Sequence, residues 1–397
     1  MIQLVMSLVA ALTVALDIVA YKRLVRNRTN RTIRIVFALF ATIANTLIWI
    51  GPALILFPTS NEVEQSLMRG VNLALTLYIL FTLPRLLLYL FTLTTRNKRI
   101  RTIGITLATL LLGTLLYGIT ITRTAYITKE IMLQFDNLPK GFDGYRIAFI
   151  SDIHIGSMCN ANRELGELSQ RIEETDADLL IFGGDLVNIS HQELTPTIIK
   201  TLSRIKGKSG TVAVLGNHDT GTYLVDTVSL PRSVNVERVC EAMQRAGWRV
   251  LRDQTEFVHH NGDSIALTGI DFSEELLRYK HSFDTPQDFD PQPIFESFPK
   301  ELFNITISHL PQLWHPLCDG GYSDPTLAGH VHSTQIKAVF GTTQLSPAML
   351  MHREWSGLYS LPNGKLYITD GIGYVGFYGR FGANPEITVI TLKSPQQ

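Results

Sequence analysis

Four long apolar runs dominate the first part of the chain, at about residues 2–20, 35–57, 71–93 and 103–122. Each has about 20 residues, the length that a helix needs to cross a hydrocarbon core of about 30 Å. Short charged connectors separate them, so we expect four transmembrane helices in residues 1–125, and not the buried helices of a soluble domain. Because positive charges follow the first run instead of preceding it, we do not expect a cleaved signal peptide.

The connectors between the runs predict the orientation of the helices, because Lys and Arg in short loops stay on the cytoplasmic side. The second connector is the acidic one, with Glu62, Glu64 and Arg69. The first and third are basic and hold no acid; they contain Lys22, Arg23, Arg26, Arg28, Arg31, Arg34, Arg96, Lys98, Arg99 and Arg101. We therefore expect a multi-pass protein of the inner (cytoplasmic) membrane, with the N-terminus and all residues after Thr122 on the periplasmic or extracellular side.

Two ionisable residues, Asp17 and Arg85, lie within or beside the apolar runs. Such residues often mark function in membrane proteins. Asp17 is close enough to the basic end of its own helix to pair there, and Arg85 either extends to the interface or faces a neighbouring helix. We favour a structural role for both.

From about Tyr126 the pattern changes to short β-branched runs that alternate with amphipathic stretches, which predicts an α/β domain over residues 126–397. A helix is expected over residues 163–175. The expected buried strands are residues 145–150, 178–182, 210–215, 264–269, 303–307 and 325–327.

The charge, histidine and cysteine content of the chain narrows its possible functions. With 35 Lys and Arg against 35 Asp and Glu the chain is neutral, so it lacks the basic excess of a nucleic-acid-binding protein. All 11 histidines follow residue 153. The three cysteines are widely spaced and form no CxxC pair, so they indicate neither a zinc knot nor a disulfide framework.

Polar side chains follow five of the expected strands, at the edge where ligand sites form in open α/β sheets. The segments are Asp152-Ile153-His154, Gly184-Asp185, Gly216-Asn217-His218-Asp219, Ser308-His309 and Gly329-His330-Val331-His332. Carboxylate, amide oxygen and imidazole together suit divalent ions such as Mn, Fe, Zn, Mg or Co. Asp185, after two glycines, is the natural carboxylate to bridge two ions, and such a pair of ions can hold a hydroxide and clamp a phosphate for in-line attack.

The five segments, in this order, resemble the calcineurin-like metallophosphoesterase superfamily. The resemblance covers about residues 145–392, and its C-terminal part, residues 366–373 and 385–387, is similar to the bacterial YkuE-like branch. It implies a four-layer α-β-β-α sandwich, preceded here by the four-helix transmembrane region. It also implies that Asp152, His154 and His332 bind one metal ion, that Asn217, His309 and His330 bind the other, and that Asp185 bridges them.

The resemblance further implies catalytic roles for two neighbours of Asn217. His218 would stabilise the transition state or protonate the leaving oxygen, and Asp219 would hold the His218 ring. An imidazole with its ordinary pKa of about 6.5 suits proton donation near neutrality. The chain departs from many relatives at Ser333-Thr334-Gln335, where they have two glycines and Gln, and at Asn188, where the residue is often acidic. Both departures concern substrate preference.

The sequence thus favours a membrane-anchored, dinuclear metal-dependent phosphoric ester hydrolase that cleaves phosphomonoester, phosphodiester or pyrophosphate bonds. A substrate of the membrane or cell envelope, including a lipid-linked one, fits the anchor best. Two alternatives stay open: a lipid-precursor pyrophosphatase on the cytoplasmic face, and a non-catalytic transporter or scaffold with a phosphoesterase-like domain. We expect no nucleic-acid binding, and the sequence leaves the oligomeric state open.

Overall fold

The computed structural model of the chain describes residues 2–27, 29–54, 61–224, 226–296 and 302–395. The chain forms two compact units. One is Met1–Ile121 with Val375–Gly379, and the other is Thr122–Tyr374 with Arg380–Gln397.

The first unit is built from long apolar helices. They are α1 (Ile2–Ala20), α2 (Arg31–Leu54), α3 (Asn61–Thr94) and α4 (Lys98–Thr120). Among the described residues, four segments are long and apolar enough to cross a membrane: Gln3–Val25, Arg31–Ala53, Met68–Thr94 and Lys98–Thr124. The expected four apolar helices are therefore confirmed, except that residues 55–57 of the second run lie outside the described residues.

A buried polar cluster joins α1, α2 and α3. Arg85 Nη1 lies 2.8 Å from Asp17 Oδ2 and donates to Asn45 Oδ1 at 2.9 Å. Asn45 Nδ2 donates to Asp17 at 2.8 Å, and the Tyr89 hydroxyl also donates to Asp17. Asp17 thus pairs with Arg85 and not with the basic end of its own helix, because helix packing brings the opposite charge closer than the helix end.

The second unit is an α/β domain. Its helices are α5 (Ala161–Glu174), α6 (Pro196–Leu202), α7 (Arg232–Arg245) and α8 (Trp314–Asp319). Its strands are β1 (Ile127–Gln134), β2 (Arg146–Ile150), β3 (Leu179–Phe182), β4 (Thr211–Ala213), β5 (Trp248–Val250), β6 (Gln254–His260), β7 (Asp263–Ile270), β8 (Asn304–Ser308), β9 (Pro325–Ala328), β10 (Ala338–Phe340), β11 (Thr343–Leu345), β12 (Gly357–Leu361), β13 (Gly364–Ile368) and β14 (Glu386–Lys393).

Two large sheets form the centre of this unit. Within the described residues, one has the strand order β1-β14-β2-β3-β4-β5 and the other the order β12-β13-β9-β8-β7-β6. Strands β2, β3 and β4 are parallel neighbours, as are β7, β8 and β9. Their carboxyl ends therefore meet at one edge of each sheet.

The side chains of the strands show how the layers are stacked, because successive side chains of a strand point to opposite faces of its sheet. On β2, Ile147 and Phe149 pack with residues of the second sheet, such as Ile305 on β8. Ala148 and Ile150 pack on the opposite face with α5, α6 and α7. Helix α8 covers the outer face of the second sheet through Trp314 and Cys318. The layers are thus helix, sheet, sheet and helix, and the predicted α-β-β-α fold is confirmed.

Candidate metal centre

The expected metal ligands follow the carboxyl ends of parallel strands in both sheets. Asp152 and His154 follow β2, Asp185 follows β3, and Asn217 follows β4. His309 follows β8, whereas His330 and His332 follow β9. All seven side chains are buried except that of His332, which is partly exposed. The face-to-face packing of the sheets brings these loops together.

The ligand atoms form overlapping groups in which every pair lies within 4.8 Å. One group is Asp152, His154 and His332, and another is Asp185, His309 and His330. A third group contains His154, Asp185 and His218. Asp185 therefore belongs to two of the three groups. His309 Nε2 lies 3.2 Å from Asp185 Oδ2 and 3.2 Å from Asn217 Oδ1, which adds the amide oxygen to the second group.

The ring nitrogens of two histidines test whether this donor set suits a metal ion. Within the described residues, Nδ1 and Nε2 of His154 and Nδ1 of His332 are buried without a hydrogen-bond partner. His154 Nε2 is 3.7 Å from Asp185 and 4.0 Å from Asp152, beyond hydrogen-bond range. Burying a polar atom unpaired costs free energy, and a cation between these groups would supply the missing partner. The residues therefore fit a metal site.

Backbone carbonyls orient two further rings. Nδ1 of His309 lies 2.8 Å from the carbonyl oxygen of Gly183, which turns Nε2 toward Asp185. Nε2 of His330 lies 2.6 Å from the carbonyl oxygen of Lys280, which leaves Nδ1 for the centre. Metal-binding histidines commonly donate their second N–H in this way, which fixes the tautomer and the ring orientation.

Burial sets the charges of the centre. It lowers the pKa of His332 to about 3, and it lowers the pKa of His154 and of His330 well below 6.5. These rings are neutral near pH 7, which is the form that binds a cation. Burial alone would raise the pKa of Asp185, but His309 and His218 outweigh it and hold that pKa well below its ordinary value. Burial lowers the pKa of His309, but Asp185 outweighs it and raises that pKa to about 9, so the centre combines three neutral imidazoles with the charged pair of His309 and Asp185.

Five of the seven expected ligands have a left-handed backbone. Their φ angles are 55° at Asp152, 47° at His154, 60° at Asp185, 70° at His330 and 31° at His332. Non-glycine residues rarely adopt this region, and strained backbone clusters at functional sites. Ser333 and Thr334, directly after His332, also have positive φ angles of 49° and 47°.

Two glycines allow the ligand loops to approach each other. A Cβ atom at Gly216 would lie 2.1 Å from Asp185 Oδ1. Gly184 has a φ of +95°, and a Cβ there would lie 2.8 Å from His309 Nδ1. Any side chain at these positions would displace a neighbouring ligand.

The structure corrects the expected role of Asp219. Its carboxylate accepts backbone N–H bonds at 2.8–3.1 Å and does not touch the His218 ring. The donors are Asp185, Leu186, Val187 and Gly216. Asp219 therefore ties the loop of Asp185 to its own loop. In a tight turn the side chains of successive residues diverge, so adjacency along the chain does not bring Asp219 to the ring.

His218 is held by other groups. Its Nδ1 lies 2.6 Å from the carbonyl oxygen of Asn188, and its backbone N–H donates to Asp185 Oδ1 at 2.8 Å. The ring stacks on Tyr223 with centroids 4.2 Å apart, and the amide of Asn217 donates to the Tyr223 hydroxyl at 3.3 Å. His218 is thus fixed beside the centre.

Tyr223 and Lys280 are residues of the site that the sequence did not indicate. Lys280 Nζ lies 5.0 Å from the Tyr223 ring centroid and donates to its hydroxyl at 3.3 Å. This arrangement puts a cation beside Tyr223. Tyr223 comes shortly after the His218 segment, which is a weak indication, whereas Lys280 has no motif around it. His352, also unassigned from sequence, is buried with its ring 6.0 Å from that of His330.

Comparisons with known proteins agree with this geometry. A family model described as calcineurin-like phosphoesterase matches residues 145–341. The chain is 27% identical over 270 residues to the uncharacterized metallophosphoesterase YkuE of Bacillus subtilis, an alignment that covers 67% of this chain and 85% of that protein. It is 28% identical over 294 residues to the UDP-2,3-diacylglucosamine pyrophosphatase LpxG of Chlamydia muridarum, covering 64% and 86% respectively.

One relative is named for both a transmembrane part and a metallophosphoesterase domain. The transmembrane protein with metallophosphoesterase domain of Danio rerio is 29% identical over 273 residues. That alignment covers 66% of this chain and 56% of the relative, so the chain matches little more than half of that protein.

Proposed function

Through residues 145–341 the chain belongs to the calcineurin-like phosphoesterase family and is a membrane-associated phosphoric ester hydrolase; on that premise, we propose that it uses a dinuclear metal centre to hydrolyse phosphate esters carried by the membrane or cell envelope. The observation that carries the proposal is the convergence of seven donor side chains from both sheets, with buried ring nitrogens of His154 and His332 that lack a protein partner in the described residues.

The ligands would divide between two ions. Asp152, His154 and His332 would hold one, Asn217, His309 and His330 would hold the other, and Asp185 would serve both. Divalent ions bound there would supply Lewis acidity toward the phosphate and an activated water. The metals that suit this mixed donor set are Mn, Fe, Zn, Mg and Co.

The remaining residues position the substrate and move a proton. Nδ1–H of His218 is committed to the Asn188 carbonyl, and burial lowers the pKa of the ring, so Nε2 carries no proton near pH 7. Nε2 would take up a proton from solvent and then donate it to the leaving oxygen. Lys280 provides a positive charge next to Tyr223, where it can meet a phosphate oxygen of the substrate. Asp219 is a positioning residue, since it acts through the backbone that carries Asp185.

The substrate class follows from the membrane anchor. We assign the anchor to residues 1–125 and the catalytic domain to residues 126–397; the compact units differ from this division at residues 122–125 and 375–379. Tethering an enzyme beside a bilayer raises its effective concentration toward membrane-borne substrates. The similarity to LpxG, named for its action on a diacylated nucleotide sugar, supports a lipid-linked phosphate or pyrophosphate.

The basic first and third connectors favour a catalytic domain on the periplasmic or extracellular side. The second candidate is a lipid-precursor pyrophosphatase on the cytoplasmic face; the LpxG similarity supports its activity, and its location requires the opposite orientation. Two fusions after Gln397 separate the two: a phosphatase that is active only outside the cytoplasm supports the first, and a fluorescent protein that fluoresces only in the cytoplasm supports the second.

The test of activity uses the full chain in detergent with Mn²⁺ and a chromogenic phosphodiester. Wild type is expected to cleave it, and Asp185→Ala and His332→Ala are each expected to abolish cleavage. His259→Ala is the matched control, because His259 contacts Ser264 away from the centre. Equal rates in wild type and both centre variants would contradict the proposal.

A further inference from the structure

An uncharged and exposed segment follows the last histidine pair. Residues 338–351, here named the apolar hairpin, contain no Asp, Glu, Lys, Arg or His, although 18% of the chain is charged. Its large apolar side chains are exposed to solvent: Val339 by 55%, Phe340 by 66%, Leu345 by 46%, Met349 by 41% and Leu350 by 79%. Exposed apolar patches of this kind mark interaction surfaces.

Both faces of the hairpin are exposed. Strands β10 and β11 pair with Ala338 opposite Leu345 and Phe340 opposite Thr343, and within the described residues they pair only with each other. Phe340 and Leu345 lie on one face of the ribbon, and Val339 lies on the other. An isolated two-stranded ribbon is marginally stable in water, so this one needs an apolar environment around it.

We propose that the apolar hairpin inserts into the surface of a lipid bilayer. A groove on a partner protein would cover one face of the ribbon and leave the other in water, whereas the boundary between headgroups and acyl chains surrounds both faces. The same chain has four helices that are long and apolar enough to cross a membrane, so a bilayer is the apolar surface that this protein meets. Arg353, exposed just after the hairpin, suits anionic headgroups.

The base of the hairpin is attached to the metal centre. The Ser346 hydroxyl donates to the carbonyl oxygen of Ser333, the residue after His332, at 2.8 Å. Ala348 packs with Trp355 and with Val331, which lies between His330 and His332. A hairpin inserted among lipids would hold this ligand loop next to lipid headgroups. The inference rests on the proposed function and specifies its substrate as the phosphate of a lipid within the bilayer.

The test measures the depth of the hairpin in the full-length protein. The Phe340→Trp variant is placed in nanodiscs of phosphatidylcholine and phosphatidylglycerol. Phe257→Trp on β6 is the matched control, because Phe257 is also exposed, by 48%. The emission of the chain's own four tryptophans is subtracted as a common background. Brominated lipid is expected to reduce the added emission of Phe340→Trp roughly twofold or more, given an insertion depth of about 5–10 Å, and to leave that of Phe257→Trp unchanged.

Leu350→Trp is a second probe in case the first variant does not fold, and it is expected to be quenched in the same way. Probes that respond to aqueous iodide, and not to brominated lipid, would overturn the inference. Quenching is measured without turnover, so the two proposals can fail separately. Cleavage of the soluble diester without quenching would support the proposed function and contradict insertion of the hairpin. Quenching without any cleavage would support insertion and contradict the proposed function.

Discussion

Nδ1 of His218 donates to the carbonyl oxygen of Asn188 across 2.6 Å, and the His218 ring lies beside Asp185 and His154. This bond assigns the ring a proton on Nδ1 and leaves Nε2 to exchange a proton with the substrate. Because the partner is a backbone oxygen, the orientation depends on the course of the loop around Asn188 and not on its side chain.

His218→Asn is expected to lower kcat by about 10²- to 10⁴-fold, the usual contribution of a general acid or base. The loss should be larger for an ester with a poor leaving group than for a nitrophenyl ester, because only the former needs a proton on the departing oxygen. Steady-state kinetics with both esters measure the difference. His259→Asn is the control, and an equal loss with both leaving groups would argue against proton donation.

Asp219→Ala is expected to reduce stability and activity together. It leaves four buried N–H groups without their acceptor, and each such group costs about 1–3 kcal/mol. Thermal unfolding in detergent should fall well below that of wild type, whereas His218→Asn should unfold close to wild type. If Asp219→Ala kept wild-type stability and changed only the pH profile, the ring-holding role would be right after all.

Gly216→Ala is expected to remove metal binding. The added Cβ would lie 2.1 Å from Asp185 Oδ1, so either the carboxylate or the loop must move. Mn²⁺ affinity by titration calorimetry measures the effect. Gly166→Ala in α5 is the matched control, because nothing lies within 4 Å of its Cβ and Ala suits a helix better by about 0.5–1 kcal/mol. Wild-type affinity in Gly216→Ala would contradict so close an approach of the two loops.

The sequence predicted the four apolar helices from local periodicity and the five ligand segments from the residues directly after each strand, whereas the layers were implied by the family resemblance. It could not predict that Asp17 pairs with Arg85, since that pairing depends on how α1 and α3 pack. Tyr223 and Lys280 were missed for a related reason, because loops of variable course bring them to His218. The role of Asp219 was misassigned because a family pattern identifies a residue but not the direction of its side chain.

The pairing of Asp17 with Arg85 predicts coupled effects on the stability of the helical unit. Asp17→Asn and Arg85→Gln should each destabilise it, since each leaves the other charge buried. The double variant should be less destabilised than the sum, by about 1 kcal/mol or more. Unfolding in a denaturing detergent measures the cycle, with Arg69→Gln as an exposed control on α3. Additive effects would mean that the two charges do not interact.

Asp370 predicts a dependence of stability on pH. Burial raises the pKa of this carboxyl, but Lys337 and the hydroxyls of Ser333 and Ser356 outweigh it and leave the pKa below its ordinary value. The stabilisation is therefore fully present above the unfolded pKa of about 3.9 and is lost as pH falls through the lower folded pKa. Thermal unfolding of wild type and Asp370→Asn should differ at pH 7 and converge in strong acid. A gap that does not narrow on acidification would exclude this linkage.

The most direct measurement is the metal content of the purified full-length protein. Elemental analysis after loading with Mn²⁺ and desalting should find about two ions per wild-type chain, as for other two-metal phosphatases. Asp185→Asn should show a clear loss of bound metal, whereas the control His259→Asn should match wild type. A wild-type chain that folds but retains no divalent ion under these conditions would contradict the metal centre.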